Sequence, residues 1–136
     1  MNNQPPTSNN QQNTNPQQPN RRSKPPYDLG ERTLEFALNV QGVTERLPNT
    51  PEANNARKQL AESGSSIGAN VSEADEALSK ADKRRVFVIA RKEAGESKYW
   101  LRMIQRKWDS RPIVQSLIDE VSELLCIINS IIAKLS

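Results

Sequence analysis

The sequence predicts an all-α protein: an up-down-up-down antiparallel four-helix bundle with a disordered N-terminal tail. Apolar residues recur at helical spacing throughout residues 27–136, and no segment shows the alternation typical of a half-buried strand. Three breaks, at residues 47–51, at Ser79 and at residues 109–112, divide this body into four segments. Amphipathic helices joined by such short turns favour an antiparallel bundle, and 136 residues support one domain.

Residues 1–26 differ in composition from the rest of the chain. They contain seven Asn, five Gln, six Pro and no acidic residue. With so few apolar side chains they cannot offset the entropy lost on ordering, so we predict a disordered tail at 1–26 and the bundle at 27–136. The tail lacks the apolar core of a signal peptide. Its three basic residues, Arg21, Arg22 and Lys24, account for the net charge of +3, so the body is neutral overall.

The first helix is expected over residues 29–47. Asp28 is placed as its N-cap, and Glu31 three residues on would complete a capping box. Pro48 follows the last expected residue. The predicted inner face is Phe36, Val40, Val43 and Leu47.

Thr50 and Pro51 begin the second helix as N-cap and first helical residue, and we expect it to extend to Leu78. The predicted inner face is Ala56, Leu60, Ser63, Ile67, Asn70 or Val71, Ala74 and Leu78. An inward Asn70 needs hydrogen-bond partners, and Glu93 and Glu96 of the third helix are candidates. A buried polar residue of this kind can fix register or assembly state.

Ser79 caps the third helix, expected over residues 80–108, and the fourth runs from residue 112 to about Leu135. The inward set of the third helix is Ala90, Ala94, Ser97, Leu101, Ile104 and Trp108. The fourth has a heptad stripe of Leu117, Val121, Leu124, Ile128, Ile131 and Leu135, widened by Val114, Ile118, Leu125, Ile127 and Ile132. This width indicates either a generous core or a second buried surface, and we favour the second, which implies self-association.

Residues 64–68 match the G-x-S-x-G nucleophile elbow of serine hydrolases. That elbow needs a strand before it, a helix after it and a His to activate the Ser. The chain contains no His, and the segment lies within a predicted helix. Because Gly costs about 1 kcal/mol relative to Ala in a helix, Gly64 and Gly68 favour close approach of another helix. A phosphate-binding loop would also need a Lys after the last Gly.

Enzymatic chemistry has little support in the composition, so no catalytic residue, metal or cofactor is predicted. Di-iron bundles use a Glu-x-x-His motif, which this chain cannot form. The one cysteine, Cys126, lies among apolar residues and is expected to be an inert core thiol. A single cysteine, together with the lack of a signal or membrane-spanning segment, favours the cytoplasm.

Basic residues concentrate between Lys80 and Arg111, where eleven basic and four acidic residues occur. The candidate nucleic-acid-binding residues share one helical face: Lys80, Arg84, Arg91, Lys98, Arg102 and Arg106. This set, here called the α3 stripe, is either a solvated face partly paired with Glu93 and Glu96 or a phosphate-binding surface. Tyr99, Trp100 and Met103 flank it, and they favour helix or subunit packing over base stacking.

Four segments carry a resemblance to a known family: Tyr27-Asp28-Leu29 with Glu31 to Ala37, Leu47-Pro48-x-Thr50-Pro51-Glu52, Ser66-Ile67-Gly68-Ala69-Asn70-x-x-Glu73-Ala74, and Lys92-Glu93-Ala94-x-Glu96-x-x-Tyr99-Trp100-Leu101. Over residues 27–135 the chain resembles the bacterial four-helix-bundle family encoded in 23S rRNA intervening sequences, often mislabelled a ribosomal protein. This family is similar to the accessory variability protein of diversity-generating retroelements. Gly95 departs from its pattern, which has a larger helix former there.

The resemblance implies a four-helix bundle that assembles as a homopentamer. For the retroelement relatives it implies binding to nucleic acid, RNA or DNA, and to a reverse transcriptase. We therefore predict a non-enzymatic oligomeric scaffold that binds nucleic-acid backbone through the α3 stripe. The alternative is a self-assembling protein–protein adaptor, for example for a reverse transcriptase, without direct nucleic-acid binding. No membrane association is expected.

Overall fold

The computed structural model describes residues 25–136, with side chains from Leu29 onward, and four helices make up most of this part. They are α1 (Pro25–Thr44), α2 (Pro51–Ala74), α3 (Lys80–Lys107) and α4 (Pro112–Lys134). No strand occurs in these residues. Disorder is predicted for residues 1–26, and residues 1–24 of that segment lie outside the described residues.

Each helix packs on the next along the chain, and α1 closes the bundle against α4. α3 and α4 run antiparallel, because Arg91 of α3 pairs with Asn129 of α4 while Gln105, further along α3, pairs with Gln115, earlier in α4. α1 and α2 do the same, because Gly68 lies against Thr33 while Gly64, earlier in α2, lies against Val40, later in α1. The predicted antiparallel up-down-up-down bundle is therefore confirmed. One apolar core runs through it, and its largest fully buried side chains are Phe36, Leu60, Ile67, Leu101, Ile104, Leu124 and Ile128.

Two predicted N-caps are confirmed. The Thr50 hydroxyl accepts a hydrogen bond from the Ala53 backbone N–H at 3.2 Å, and the Ser79 hydroxyl accepts one from the Asp82 N–H at 3.0 Å. Each cap satisfies a donor that the first turn of a helix leaves without a partner. Local capping chemistry therefore fixes where α2 and α3 begin.

The predicted ends of α1 and α2 are wrong by several residues. α1 begins at Pro25, so Asp28 lies within its first turn instead of capping it; a proline fits there because first-turn N–H groups have no helical partner. At its other end, hydrogen bonding changes to i,i+3 spacing after Thr44, where Leu47 N–H donates to the Thr44 carbonyl. The helix therefore stops three residues before the predicted Leu47, which is still buried.

α2 likewise ends at Ala74, and Leu78 lies in the connection to α3, fully exposed. The N–H groups of Asp75, Glu76 and Ala77 bond to carbonyls three residues back, which tightens the chain into turns. The prediction that Leu78 belongs to the inner face is therefore wrong.

Gly64 and Gly68 lie where α2 packs closely against α1. A Cβ on Gly68 would stand 2.9 Å from the Thr33 Oγ1 and 3.2 Å from the Thr33 Cβ, and one on Gly64 would stand 3.3 Å from a Val40 methyl carbon. The first distance is shorter than van der Waals contact, so only glycine fits at residue 68 without a shift of α1. The predicted close-packing role of this segment is confirmed.

The same segment has no elbow geometry. It lies wholly inside α2, and the Ser66 hydroxyl donates to the Glu62 carbonyl of its own helix at 2.7 Å. Asn70 is half-buried, and its amide donates to the Ser66 carbonyl at 2.8 Å, so its partner is neither Glu93 nor Glu96. A helical Asn that bonds back one turn does not link two helices.

The broad apolar stripe of α4 is largely taken up inside the bundle. Ile118 and Ile132 are buried, and Leu125, Ile127 and Ile131 are half-buried against the core. The stripe alone therefore no longer requires a second subunit, and self-association becomes a proposal that other observations must support.

Candidate nucleic-acid interface on α3

The α3 stripe forms one straight row on the flank of α3 beside α4. Its six residues span 26 helical positions, which is about 39 Å at 1.5 Å per residue. Lys80, Arg91, Arg102 and Arg106 are exposed, and Arg84 and Lys98 are half-buried. The structure thus brings all six predicted residues together on one surface of the bundle.

Two of these arginines are held by uncharged groups, one in α4 and one just after its last residue. The Arg91 Nη1 donates to the Asn129 Oδ1 at 3.1 Å, and the Arg84 Nε donates to the Ser136 hydroxyl at 3.3 Å. Neutral partners orient a guanidinium without cancelling its charge, and each guanidinium keeps further donors for a ligand.

No carboxylate among residues 29–136 forms an ion pair with any of the six stripe residues. Two of the three carboxylates of α3 pair elsewhere on the helix, Asp82 with Arg85 at 2.9 Å and Glu96 with Lys92 at 3.8 Å. The pairing with Glu93 and Glu96 that the solvated-face interpretation included does not occur among these residues, and the choice between a solvated face and a phosphate-binding surface stays a prediction.

Glu93 lies on the opposite flank of α3, toward α2. Burial raises the pKa of its carboxyl, and the nearby charges of Glu96 and Glu62 act in the same direction, partly opposed by Lys92. The acidic side of α3 is thus separated from the α3 stripe by the width of the helix.

The aromatic residues beside the α3 stripe differ in exposure. Tyr99 is exposed, and its ring meets that of Trp100 edge-on, with centroids 5.1 Å apart at an interplanar angle of 84°. Trp100 and Trp108 are half-buried against the core, so Trp108 is less inward than predicted. Trp100 therefore agrees with the packing role that the sequence favours, whereas the exposed ring of Tyr99 does not.

Cys126 is exposed, so the predicted core thiol is wrong. It lies two residues after Leu124 and two before Ile128, both fully buried. At 100° per residue these neighbours point inward and the residue midway between them points outward. The prediction was wrong because the apolar residues next to Cys126 in the sequence lie on the other side of α4.

Sequence reasoning missed an ion-pair cluster that joins α1 to α4. Arg32 donates to both Glu120 oxygens at 2.9 and 3.0 Å and also pairs with Glu123. These carboxylates raise the pKa of Arg32 against the opposing effect of its burial. Because 88 residues separate Arg32 from Glu120, no local spacing reveals the contact; only the i,i+3 spacing of the two glutamates hints at a shared flank.

Two negative findings describe residues 29–136. No cluster of three His, Cys, Asp or Glu side chains there could hold a metal ion. No helix in the described part of the chain is both long and apolar enough to cross a bilayer.

The fold and this surface define a class of protein: an antiparallel four-helix bundle whose third helix has a basic row without an ion pair among residues 29–136. The model of the family described as 23S rRNA-intervening sequence protein matches residues 27–130, and the chain belongs to this family. The predicted family resemblance is thus confirmed, whereas the similarity to the retroelement accessory protein remains a prediction.

A solved relative agrees with this assignment. It is the crystal structure of a protein of unknown function from the S23 ribosomal protein family of Bacteroides thetaiotaomicron. The two chains are 35% identical, with 76% of this chain and 97% of the other covered, and the TM-score is 0.70. No curated protein matches the chain.

Proposed function

We propose that this protein is a non-enzymatic scaffold that binds the phosphate backbone of RNA or DNA through the α3 stripe. One observation carries the proposal: six cations lie in a row on one rigid helix without a carboxylate partner among residues 29–136. A neutral body with so localised a positive row differs from a protein that is basic all over.

Phosphate binding is the chemistry that such a row supports. Lysine and arginine release condensed counterions when they neutralise phosphates, and this release drives sequence-independent binding. Reading a base sequence requires side chains that reach base edges in a groove, and a straight exposed row on a bundle surface fits backbone contacts better. Little sequence preference is therefore expected.

The proposal extends to assembly and location. Several α3 stripes in a homo-oligomer, a pentamer by the family resemblance, would raise avidity by presenting adjacent sites to one strand. A reverse transcriptase as protein partner rests on the retroelement resemblance alone. A cytoplasmic location rests on the sequence argument from the single cysteine.

Charge reversal on the α3 stripe tests the proposal. Arg84, Arg91 and Arg102 are changed together to Glu, and binding to fluorescein-labelled RNA and DNA is measured by anisotropy at low salt. A matched control changes three exposed basic residues elsewhere, Arg46, Lys58 and Lys134, to Glu and alters the net charge equally.

The stripe variant is expected to lose about tenfold or more in affinity, and the control should lose much less. Equal losses would show that net charge, not the α3 stripe, is responsible. Absence of wild-type binding at low salt would reject the proposal outright. Circular dichroism of all three proteins guards against misfolding as the cause.

A further inference from the structure

The seam between α1 and α4 is an open groove that the proposed function does not use. It has a volume of about 640 Å³. Its floor is apolar, with Phe36 of α1 and Leu117, Ile127 and Ile113 of α4. Ile113, at one end of the groove, is 40% exposed, so apolar surface there remains open to solvent.

The rim of this groove is acidic. Glu35, Glu120 and Glu123 line it, and among residues 29–136 Arg32 is the only basic residue in the lining. Arg32 already pairs with Glu120 and Glu123, and it leaves Glu35 as an exposed carboxylate without an ion pair among residues 29–136. Three carboxylates and one guanidinium give the groove a net negative charge, the opposite of the α3 stripe.

The size of the groove matches a helical segment. From Ile113 to Ile127 the lining extends over 15 residues of α4, a rise of about 21 Å or four helical turns, and Glu120 lies midway between these isoleucines, where it pairs with Arg32. An amphipathic helix that lays its apolar face in such a groove places anchors at i, i+3 or i+4, and i+7. Basic residues beside those anchors would face the carboxylate rim.

We propose that the α1/α4 groove binds a basic amphipathic helix of a partner protein. The apolar floor supplies the contact area, and the acidic rim selects lysine- and arginine-bearing helices by charge complementarity. Nucleic acid is disfavoured here because its phosphates would meet the carboxylates. A second copy of this chain fits less well, because its basic face, the α3 stripe, carries only one exposed large aromatic neighbour, Tyr99.

The groove and the α3 stripe lie on opposite flanks of α4. Asn129 marks the flank toward α3, where it accepts from Arg91, and Glu120 marks the flank toward α1, where it accepts from Arg32. One protomer can therefore hold a nucleic acid and a basic helix at the same time.

The test uses a designed peptide and the full chain. The probe is a fluorescein-labelled 15-residue helix with leucine on one face and lysine on the other. Two comparison peptides have the same composition in scrambled order, or glutamate in place of lysine. The groove variants are Ile113→Asp and Glu35→Lys, and the matched control is Leu38→Asp, since Leu38 is similarly exposed at 51% on α1 but lies on its flank toward α2.

The amphipathic basic peptide should bind, and the scrambled and acidic peptides should not. Ile113→Asp should weaken binding about tenfold or more, as expected for the loss of one buried apolar contact. Glu35→Lys should weaken it and reduce its salt dependence, while Leu38→Asp should leave the affinity within about twofold.

Three outcomes would overturn the proposal: equal binding of the scrambled peptide, equal loss in the Leu38→Asp control, or an unchanged affinity in both groove variants. If sedimentation shows that Ile113→Asp lowers the subunit number and leaves peptide binding unchanged, the groove belongs to a second copy instead. None of these measurements involves nucleic acid, so they succeed or fail independently of the proposed function.

Discussion

Replacing Gly68 with Ala is expected to destabilise the bundle, although the same change stabilises most helices. Alanine gains about 1 kcal/mol over glycine in helix propensity. Against this gain, the new Cβ would lie 2.9 Å from the Thr33 Oγ1, which no real packing tolerates. Thr33 is 1% exposed, and its hydroxyl is held between the Leu29 and Gly30 carbonyls at 2.9 and 3.0 Å.

Rotation of the Thr33 side chain would break its hydrogen bonds and would leave its Cβ 3.2 Å from the new Cβ, so α1 must move outward. Overpacking of a close-packed interior costs about 1–3 kcal/mol. The net effect of Gly68→Ala is therefore a destabilisation of up to about 2 kcal/mol after the propensity gain is subtracted.

Gly95 provides the matched control within the same protein. It lies inside α3, is exposed, and a Cβ there meets nothing within 4 Å. Gly95→Ala should raise the free energy of unfolding by about 0.5–1 kcal/mol. Urea unfolding followed by circular dichroism, at several protein concentrations to separate assembly from folding, measures both variants.

A second substitution locates the cause. In a Thr33→Ala background the 2.9 Å contact with the hydroxyl is absent while the 3.2 Å contact with the Cβ of residue 33 is retained, so Gly68→Ala should be clearly less destabilising than in the wild type. If Gly68→Ala stabilises the wild type as much as Gly95→Ala does, close approach of α1 and α2 is not what requires glycine at residue 68, and the reasoning is refuted.

Three other predictions concern single contacts. The Ser97 hydroxyl donates to the Ser63 hydroxyl at 2.9 Å inside the core, so Ser63→Ala should lower the free energy of unfolding by about 1–3 kcal/mol. The Ser63→Ala/Ser97→Ala double variant should lose less than the sum of the two single variants, as measured by a double-mutant cycle. Thr50→Ala removes the N-cap of α2 and should cost about 1 kcal/mol in urea unfolding, whereas Thr50→Ser should retain most of the stability. Because burial raises the pKa of Glu93, its charged form opposes folding; Glu93→Gln should raise stability at pH 7, and this advantage should vanish as the pH falls through the raised pKa. An advantage that persists at low pH would contradict the last prediction.

Much of the fold could be predicted from the sequence because its determinants are local. Thr50 and Ser79 cap their helices through contacts three residues away, and periodicity identifies the inward faces of α3 and α4. The ends of α1 and α2 could not be predicted, because the change from i,i+4 to i,i+3 bonding after Thr44 and Ala74 has no strong residue signal. Leu78 was assigned to the inner face only because α2 was predicted to continue through it.

In the candidate site, too, the features set by local sequence could be predicted and those set by long-range contacts could not. The α3 stripe lies on one helix, so its spacing alone placed all six residues on one face. The lack of ion pairs between these residues and the carboxylates of residues 29–136 depends on which flank of α3 faces α4, and this is determined by tertiary packing. The α1/α4 groove depends on residues such as Arg32 and Glu120, far apart in the chain, and was out of reach of sequence reasoning.

The salt dependence of duplex binding tests the central proposal most directly. For the wild-type protein and a 20-base-pair DNA duplex, log K plotted against log salt concentration should have a slope of about −5 if all six stripe residues contact phosphates. Reversing Arg84, Arg91 and Arg102 should flatten this slope by about 3, and the Arg46, Lys58 and Lys134 control should leave it nearly unchanged. A wild-type slope near zero, or the same slope in the stripe variant, would contradict phosphate binding by the α3 stripe.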